Sequence, residues 1–229
     1  LFATAENCNA LSLTRIANNY RSRYVHCIGL LLLVCWGQAI ASSENSDETI
    51  LNQIIETHWQ WTLAQYPEMR LDYGDRSGNR LWTDMSPEAF TARYRQAGQF
   101  VQQLEQIEPA TLSSLSRVNR SMLLRLLRDK QTEYEDGMHL IALDMRSGPR
   151  HRHSMIERLP MATLQDHEDW LVRLSTMPEQ LMQYRQLLEQ GIAENRVQAQ
   201  IVMSRVPGQI ENLLAGTATD SPFYKAFQN

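Results

Sequence analysis

Cysteine is scarce in this sequence: the chain of 229 residues has three, and all of them precede Ser42. The residues that follow therefore form no disulfide among themselves, and they offer neither a thiol nucleophile nor a thiolate metal ligand. Residues that interrupt helices are also few, with 10 glycines and 8 prolines. A net charge of −4 argues against a dedicated nucleic-acid-binding protein, because such proteins carry an excess of basic side chains.

Long hydrophobic runs are missing as well. The one apolar segment, residues 25–36, is too short to cross a bilayer, which takes about 20 apolar residues. It follows Arg21 and Arg23, and the small residues Ala39 and Ala41 come after it. A basic flank, a short apolar core and an A-x-A sequence are typical of a secretory signal peptide. We therefore expect cleavage after Ala41.

This interpretation divides the chain into two parts. Residues 1–41 are an export signal peptide with an upstream extension, since the sequence does not start with methionine, and residues 42–229 are the exported protein. The expected location is the periplasm or the cell envelope. Lipid modification of Cys35 is the alternative, and a lipid anchor would be the only contact with a membrane, although Val34 is bulky where a small residue normally precedes the modified cysteine.

Apolar residues after Ser42 recur at spacings of three and four, which predicts an all-α fold resembling a multi-helix bundle. Ser46 or Asp47, Ser86 and Thr163 are expected to cap helices, and Pro207-Gly208 is expected to kink or split the last one. On the third helix the expected core face consists of Leu115, Val118, Met122 and Leu126, with a parallel row of Leu123 and Leu127.

Motifs for catalysis are absent from the sequence. It has no glycine-rich phosphate loop, no G-x-S-x-G and no H-E-x-x-H. His167-Glu168 starts a zinc motif, but Leu171 stands where the second histidine would be needed. A polar first turn of a helix explains these residues better. We identify no catalytic residue and no metal ligand in this chain.

A locally basic loop is the candidate substrate-binding segment. Its arginines and two histidines, together with the nearby Arg158, make this loop locally positive. On an acidic chain such a loop can bind an anionic group, such as a substrate carboxylate. Two other interpretations stay open: an ordinary solvated loop, and a metal site in which Glu157 joins the two histidines. We define the basic loop as Arg146, Arg150, His151, Arg152 and His153.

Two tryptophans near the start of the exported part allow two interpretations. Trp59 and Trp61 could form a platform for a carbohydrate or an aromatic ligand. The helical spacing favours Trp59 on the core face and Trp61 at its border.

The order of short motifs along residues 46–229 resembles the bacterial family called "domain of unknown function 885". Each motif is short, and their common order carries the resemblance. The motifs are Trp59-Gln60-Trp61, Tyr66-Pro67-Glu68, Tyr73-Gly74-Asp75-Arg76, residues 81–88 (LWTDMSPE), Ser116-Arg117-Val118-Asn119, Ser147-Gly148-Pro149, residues 166–171 (DHEDWL), Gly191-Ile192-Ala193, residues 202–206 (VMSRV) and residues 221–224 (SPFY).

The resemblance implies a function for the whole protein. Members are exported or lipid-anchored, mostly helical proteins grouped with the zincin metallopeptidases, and their zinc motif lies in the C-terminal half. The present residues would then form one wall of a substrate cleft, with the C-terminal half of the same chain as partner, a peptide as substrate and zinc bound elsewhere. This part alone would be inactive. A self-contained periplasmic binding or adaptor protein is the alternative.

The signal-peptide interpretation predicts the mature N-terminus. Mass spectrometry of the exported protein should find Ser42 as its first residue. A lipid-modified Cys35 at the N-terminus would contradict cleavage after Ala41.

Overall fold

The computed structural model describes residues 46–144 and 148–228, and these residues form helices without any strand, which confirms the predicted all-α fold. None of the described helices is both long and apolar enough to cross a bilayer. The α-helices among the described residues are α1 Ser46–Gln65, α2 Pro87–Glu105, α3 Ser114–Glu135, α4 Leu164–Ser175, α5 Met177–Ala193, α6 Gln200–Met203 and α7 Val206–Leu214.

Short 3₁₀ segments fill much of the chain between these helices. Two of them follow α1 directly. The described 3₁₀ segments are Pro67–Tyr73, Arg76–Gly78, Pro109–Thr111, Met138–Leu140, Pro149–Arg158, Ala218–Asp220 and Pro222–Phe227.

Helix starts follow the capping residues in the sequence. The Ser86 hydroxyl accepts a hydrogen bond from the Ala89 amide, and Pro87 occupies the first turn of α2. Thr163 and Asp166 form a capping box at α4. Pro207 lies in the first turn of α7, so the predicted last helix is split, because proline is tolerated only at a helix start.

The first core lies between α1, α2 and α3. Leu51 and Leu104 are fully buried there, and Phe100 is nearly so. Apolar side chains from the chain between α2 and α3 close one end of this core. Its buried members are Leu51, Ile54, Ala97, Phe100, Val101, Leu104, Ile107, Leu112, Leu124 and Leu127.

The expected main core row of α3 is wrong, whereas the expected parallel row of Leu123 and Leu127 does pack on the core. Leu124 and Leu127 are buried and Leu123 packs partly against the core, whereas the expected row is exposed to between 48% and 70%. Relative to the expected orientation, α3 is rotated about its axis. Leu124 adds to the second apolar row, and α1 and α2 cover that row instead of the expected one. We call the exposed residues Leu115, Val118, Met122 and Leu126 the α3 row.

A second core forms around Trp170 of α4. Its indole is 1% exposed, stacks against Phe223 with ring centroids 6.4 Å apart, and donates a hydrogen bond to the Phe223 carbonyl. Ile156 and Ala226 complete its buried part. The residues from 222 to 227 are therefore attached to α4.

A buried arginine connects this second core to the segment after α1. Arg173 is fully buried and donates to the Gly78 carbonyl oxygen and to the sulfur of Met155. Its guanidinium carbon lies 5.1 Å from the centre of a Trp82 ring, and the Trp82 indole N–H donates to the Arg173 carbonyl at 2.7 Å. Burial lowers the pKa of Arg173 to about 10, so the side chain remains charged at neutral pH.

Gly78 has no alternative at this position. A Cβ there would overlap the carbonyl oxygen of Pro67, which passes directly beside it. Glycine alone therefore lets the Pro67 carbonyl pass so close to this turn.

The first core predicts a contrast between two leucine substitutions. Leu104→Ala removes a fully buried side chain and should lower the free energy of unfolding by about 2–5 kcal/mol. Leu115→Ala, at a 70% exposed position of α3, should change it by less than about 0.5 kcal/mol. Urea unfolding followed by circular dichroism measures both values. Equal losses in the two variants would contradict the observed orientation of α3.

Candidate functional site

A pocket lined by aromatic rings opens between α1, α2 and α3. Its volume is about 320 Å³, at the lower end of the range typical of small-molecule sites. Met138 and His139 border it beside the C-terminal end of α3. We call it the aromatic pocket; the rings that line it belong to His58, Trp61, Tyr66, Phe90, Tyr94, Tyr134 and His139.

Four of these rings form a continuous stack on one side of the pocket. Tyr94 stacks on Tyr134 at 4.7 Å between centroids, and Tyr134 stacks on His139 at 4.6 Å with an interplanar angle of 9°. Phe90 follows at 5.2 Å from His139. The Tyr134 hydroxyl is 2.9 Å from that of Thr91, which ties α3 to α2 and holds the stack in place.

Arg93 places a positive charge in this aromatic environment. Its side chain is 7% exposed, and its Nη2 donates to the Asp84 carbonyl oxygen at 2.5 Å. Its guanidinium carbon lies 5.1 Å from the Tyr66 ring centre and 5.2 Å from that of Phe90. Each such cation–π contact contributes roughly 0.5–2 kcal/mol.

These contacts leave the charge of Arg93 uncompensated. No carboxylate of the described residues forms an ion pair with it, and its buried Nε and Nη1 atoms have no hydrogen-bond partner there. Burying an ion costs on the order of several kcal/mol unless an opposite charge lies close by. The pocket therefore contains a cation without a counter-ion.

The two histidines of the pocket add no charge at neutral pH. Burial lowers the pKa of His58, and burial lowers the pKa of His139 although the Glu194 carboxylate raises it in part. The buried Nδ1 of His139 also lacks a hydrogen-bond partner among the described residues. Polar atoms of two residues that line this pocket are therefore unsatisfied.

Two of the charges at the rim compensate each other. Lys130 and Glu133 line the pocket and form an ion pair at 2.7 Å. The Tyr94 hydroxyl donates to Glu135 at 2.8 Å, and this hydrogen bond raises the pKa of Tyr94. Arg93 is thus the charge buried inside the pocket, whereas the carboxylates of Glu135 and Glu194 are exposed and lie outside its lining.

The basic loop that the sequence proposes lies elsewhere, in and before the 3₁₀ segment Pro149–Arg158, and Arg146 falls outside the described residues. Arg150 is buried and donates to the Asp144 carbonyl oxygen. His153 is half-buried: its Nδ1 lies 2.9 Å from the Arg150 carbonyl oxygen, and its ring meets Phe223 edge-on. His151 is exposed.

Arg152 of this loop is bound by three groups of the protein. Its Nη1 lies 3.6 Å from Glu68, its Nη2 donates to the Tyr184 hydroxyl at 3.0 Å, and its guanidinium carbon is 5.6 Å from a Trp82 ring centre. Glu68 also accepts hydrogen bonds from the amide and hydroxyl of Thr83. The structure thus gives these arginines local packing contacts, and binding of an anion by the loop stays a prediction.

Metal ligands do not converge in the described part of the chain, where no three histidine, cysteine, aspartate or glutamate side chains could share an ion. The ring nitrogens of His167 instead lie near the carbonyl oxygens of Thr163 and Ala226. The zinc that the resemblance implies finds no donor set there, so we derive no chemical step through it. The residues around the proposed signal cleavage, Ala39, Ala41 and Cys35, lie outside the described residues.

Sequence reasoning missed the aromatic pocket. It placed Trp61 at the border of the core, and Trp61 is partly buried against the first core as expected. It placed Trp59 on the core face, whereas Trp59 meets the largely exposed Tyr73. A signal was present in α2. Arg93 follows Phe90 by three residues and precedes Ala97 by four, so a charged side chain lies on an apolar helix face.

Residues 67–229 match the model of a family described as bacterial protein of unknown function (DUF885). The match confirms the family resemblance drawn from the motifs, and it begins after α1. No curated protein matches the chain.

The lowered histidine pKa values predict how stability varies with pH. Below 6.5 the unfolded chain binds protons on His58 and His139 that the folded protein does not bind. The free energy of unfolding should therefore fall as the pH decreases from 7 through this range. Replacing both residues by glutamine should flatten the decrease, measured by urea unfolding in steps of pH.

The exposed His151 supplies the control. His151→Gln should leave the pH dependence unchanged between pH 7 and roughly 5, above the range in which carboxylates titrate. If the free energy of unfolding changed equally with pH in the double variant and in the unaltered protein, this would contradict burial of the two imidazoles.

Proposed function

The chain belongs to the DUF885 family, and from this membership we propose that it forms a non-catalytic wall of the substrate cleft in an exported, zinc-dependent peptidase-like protein. The zinc would be bound by residues other than those described here. When bound, zinc polarises a peptide carbonyl and activates water. The role of the described residues would be to bind and orient the peptide.

The α3 row is the observation that carries this proposal. Its four large apolar side chains lie along one face of α3 and are all exposed among the described residues. Contiguous apolar surface of this kind is typical of an interaction surface, because a soluble helix normally buries such a face. The α3 row is therefore suited to face the apolar side chains of a peptide.

The α3 row leads into the aromatic pocket. Leu126 belongs to the row and also lines the pocket, and the adjacent Leu127 lies in both the pocket and the first core. A side chain bound in the pocket would thus continue into a backbone that lies along α3. This continuity supports a surface that binds an extended ligand.

A self-contained periplasmic binding or adaptor protein is the second candidate. The aromatic pocket favours it, because a pocket with a few polar groups among apolar walls is sufficient for binding without chemistry. Under this alternative the protein binds its ligand and hydrolyses nothing.

Peptide hydrolysis by the full-length protein tests the proposal. Zinc should support hydrolysis and a chelator should abolish it. Met122→Glu and Leu126→Glu place charges on the α3 row, and each should raise KM roughly tenfold with little change in kcat, because they remove binding and not chemistry.

Leu164→Glu provides the matched control, since Leu164 is 77% exposed on α4 and lies outside the pocket lining. It should leave KM unchanged. Absence of hydrolysis with zinc present would contradict the peptidase role and favour the binding protein. An unchanged KM in both α3 variants would contradict the proposed wall.

A further inference from the structure

We infer that the aromatic pocket is a binding site for a small aromatic carboxylate, with Arg93 as the group that selects the negative charge. This inference does not depend on the peptidase role, because it rests on the pocket alone. It applies equally to a protein that only binds.

The sign of the ligand charge follows from the charges that face the pocket. Arg93 is more than nine-tenths buried and has unsatisfied donors, and Lys130 and Glu133 at the rim neutralise each other. The carboxylates of Glu135, at Tyr94, and Glu194, near His139, are exposed and outside the pocket lining, so solvent weakens their effect on a bound ligand. His58 and His139 are uncharged at neutral pH for the reason given above. An anion in the pocket would therefore meet one uncompensated positive charge, and a cation would be repelled.

A single guanidinium indicates a carboxylate rather than a phosphate. Phosphate sites normally combine several cations or backbone amides, because the phosphate group carries up to two charges and three acceptor oxygens. Arg93 is the one uncompensated cation among the described residues that line this pocket. A carboxylate matches this supply of one charge.

The rest of the ligand is expected to be aromatic. The stack of Tyr94, Tyr134, His139 and Phe90 forms one side, and Trp61 and Tyr66 also line the space. Aromatic rings pack favourably against such a surface, in offset-stacked or edge-to-face arrangements. The volume of about 320 Å³ accommodates one ring with a short polar chain rather than a long ligand.

Calorimetric titration of the full-length protein at pH 7.4 tests the inference with three probes. N-acetylphenylalanine carries both required features, its amide analogue lacks the charge, and N-acetylalanine lacks the ring. We expect the acid to bind at least about tenfold more tightly than either of the others, because each lacks one of the two interactions.

Two variants assign the binding to this pocket. Arg93→Gln should abolish the preference for the acid over the amide while aromatic binding remains. Leu126→Trp changes a half-exposed residue at the pocket lining, leaves Arg93 in place, and should block both probes. Thermal melting establishes whether each variant is folded. If Arg93→Gln does not fold, Leu126→Trp alone tests whether the probes bind in this pocket.

Arg185→Gln is the control, because Arg185 is exposed on α5 and pairs only with Glu189 among the described residues. It should leave both affinities unchanged. Equal affinity for the acid and the amide in the unaltered protein would overturn the inference. The inference would also be overturned if none of the three probes bound, or if the Leu126→Trp variant bound them as tightly as the unaltered protein.

Discussion

The buried guanidinium of Arg173 is the interaction on which the arrangement of the described chain depends. It connects α4 to the turn at Gly78, to Met155 and to the Trp82 ring, and these contacts join the second core to the segment that follows α1. A fully buried arginine is tolerated because both of its Nη atoms donate hydrogen bonds and an aromatic ring lies against the guanidinium, although its Nε has no partner among the described residues. The segment that follows α1 is thus attached to α4 through Gly78 and Trp82.

Arg93 is also a buried guanidinium, but its surroundings differ from those of Arg173. Both arginines are buried and contact aromatic rings, but Arg93 retains two donors without partners in the described residues and lines an open space of about 320 Å³. Arg173 donates from Nη1 to Met155 and from Nη2 to the Gly78 backbone, leaves only its Nε without a partner among the described residues, and does not line the aromatic pocket. We infer from this difference that Arg173 stabilises the fold whereas Arg93 serves a ligand, and local composition around the two residues does not reveal the difference.

The sequence predicts where the helices of this protein begin and end far better than it predicts which faces of the helices pack against one another. Capping at Ser86 and Thr163 and the split at Pro207 depend on residues within one turn, so local patterns identify them. The orientation of α3 depends on which of two apolar rows α1 and α2 cover, and local spacing cannot decide between them. The pocket was missed for the same reason: its rings come from α1, α2, α3 and residues 138–139. The basic loop was chosen for its charge, which gives no information about the contacts that Arg152 makes with Glu68 and Tyr184.

The central claim is that the aromatic pocket provides a positive charge for an anionic ligand. A crystal structure of the full-length protein with bound N-acetylphenylalanine tests it most directly. The account predicts a carboxylate oxygen within hydrogen-bonding distance of the Arg93 guanidinium and a phenyl ring against the stack formed by Tyr94, Tyr134 and His139. A ligand bound elsewhere, or an Arg93 side chain paired with a carboxylate of the protein itself, would contradict it.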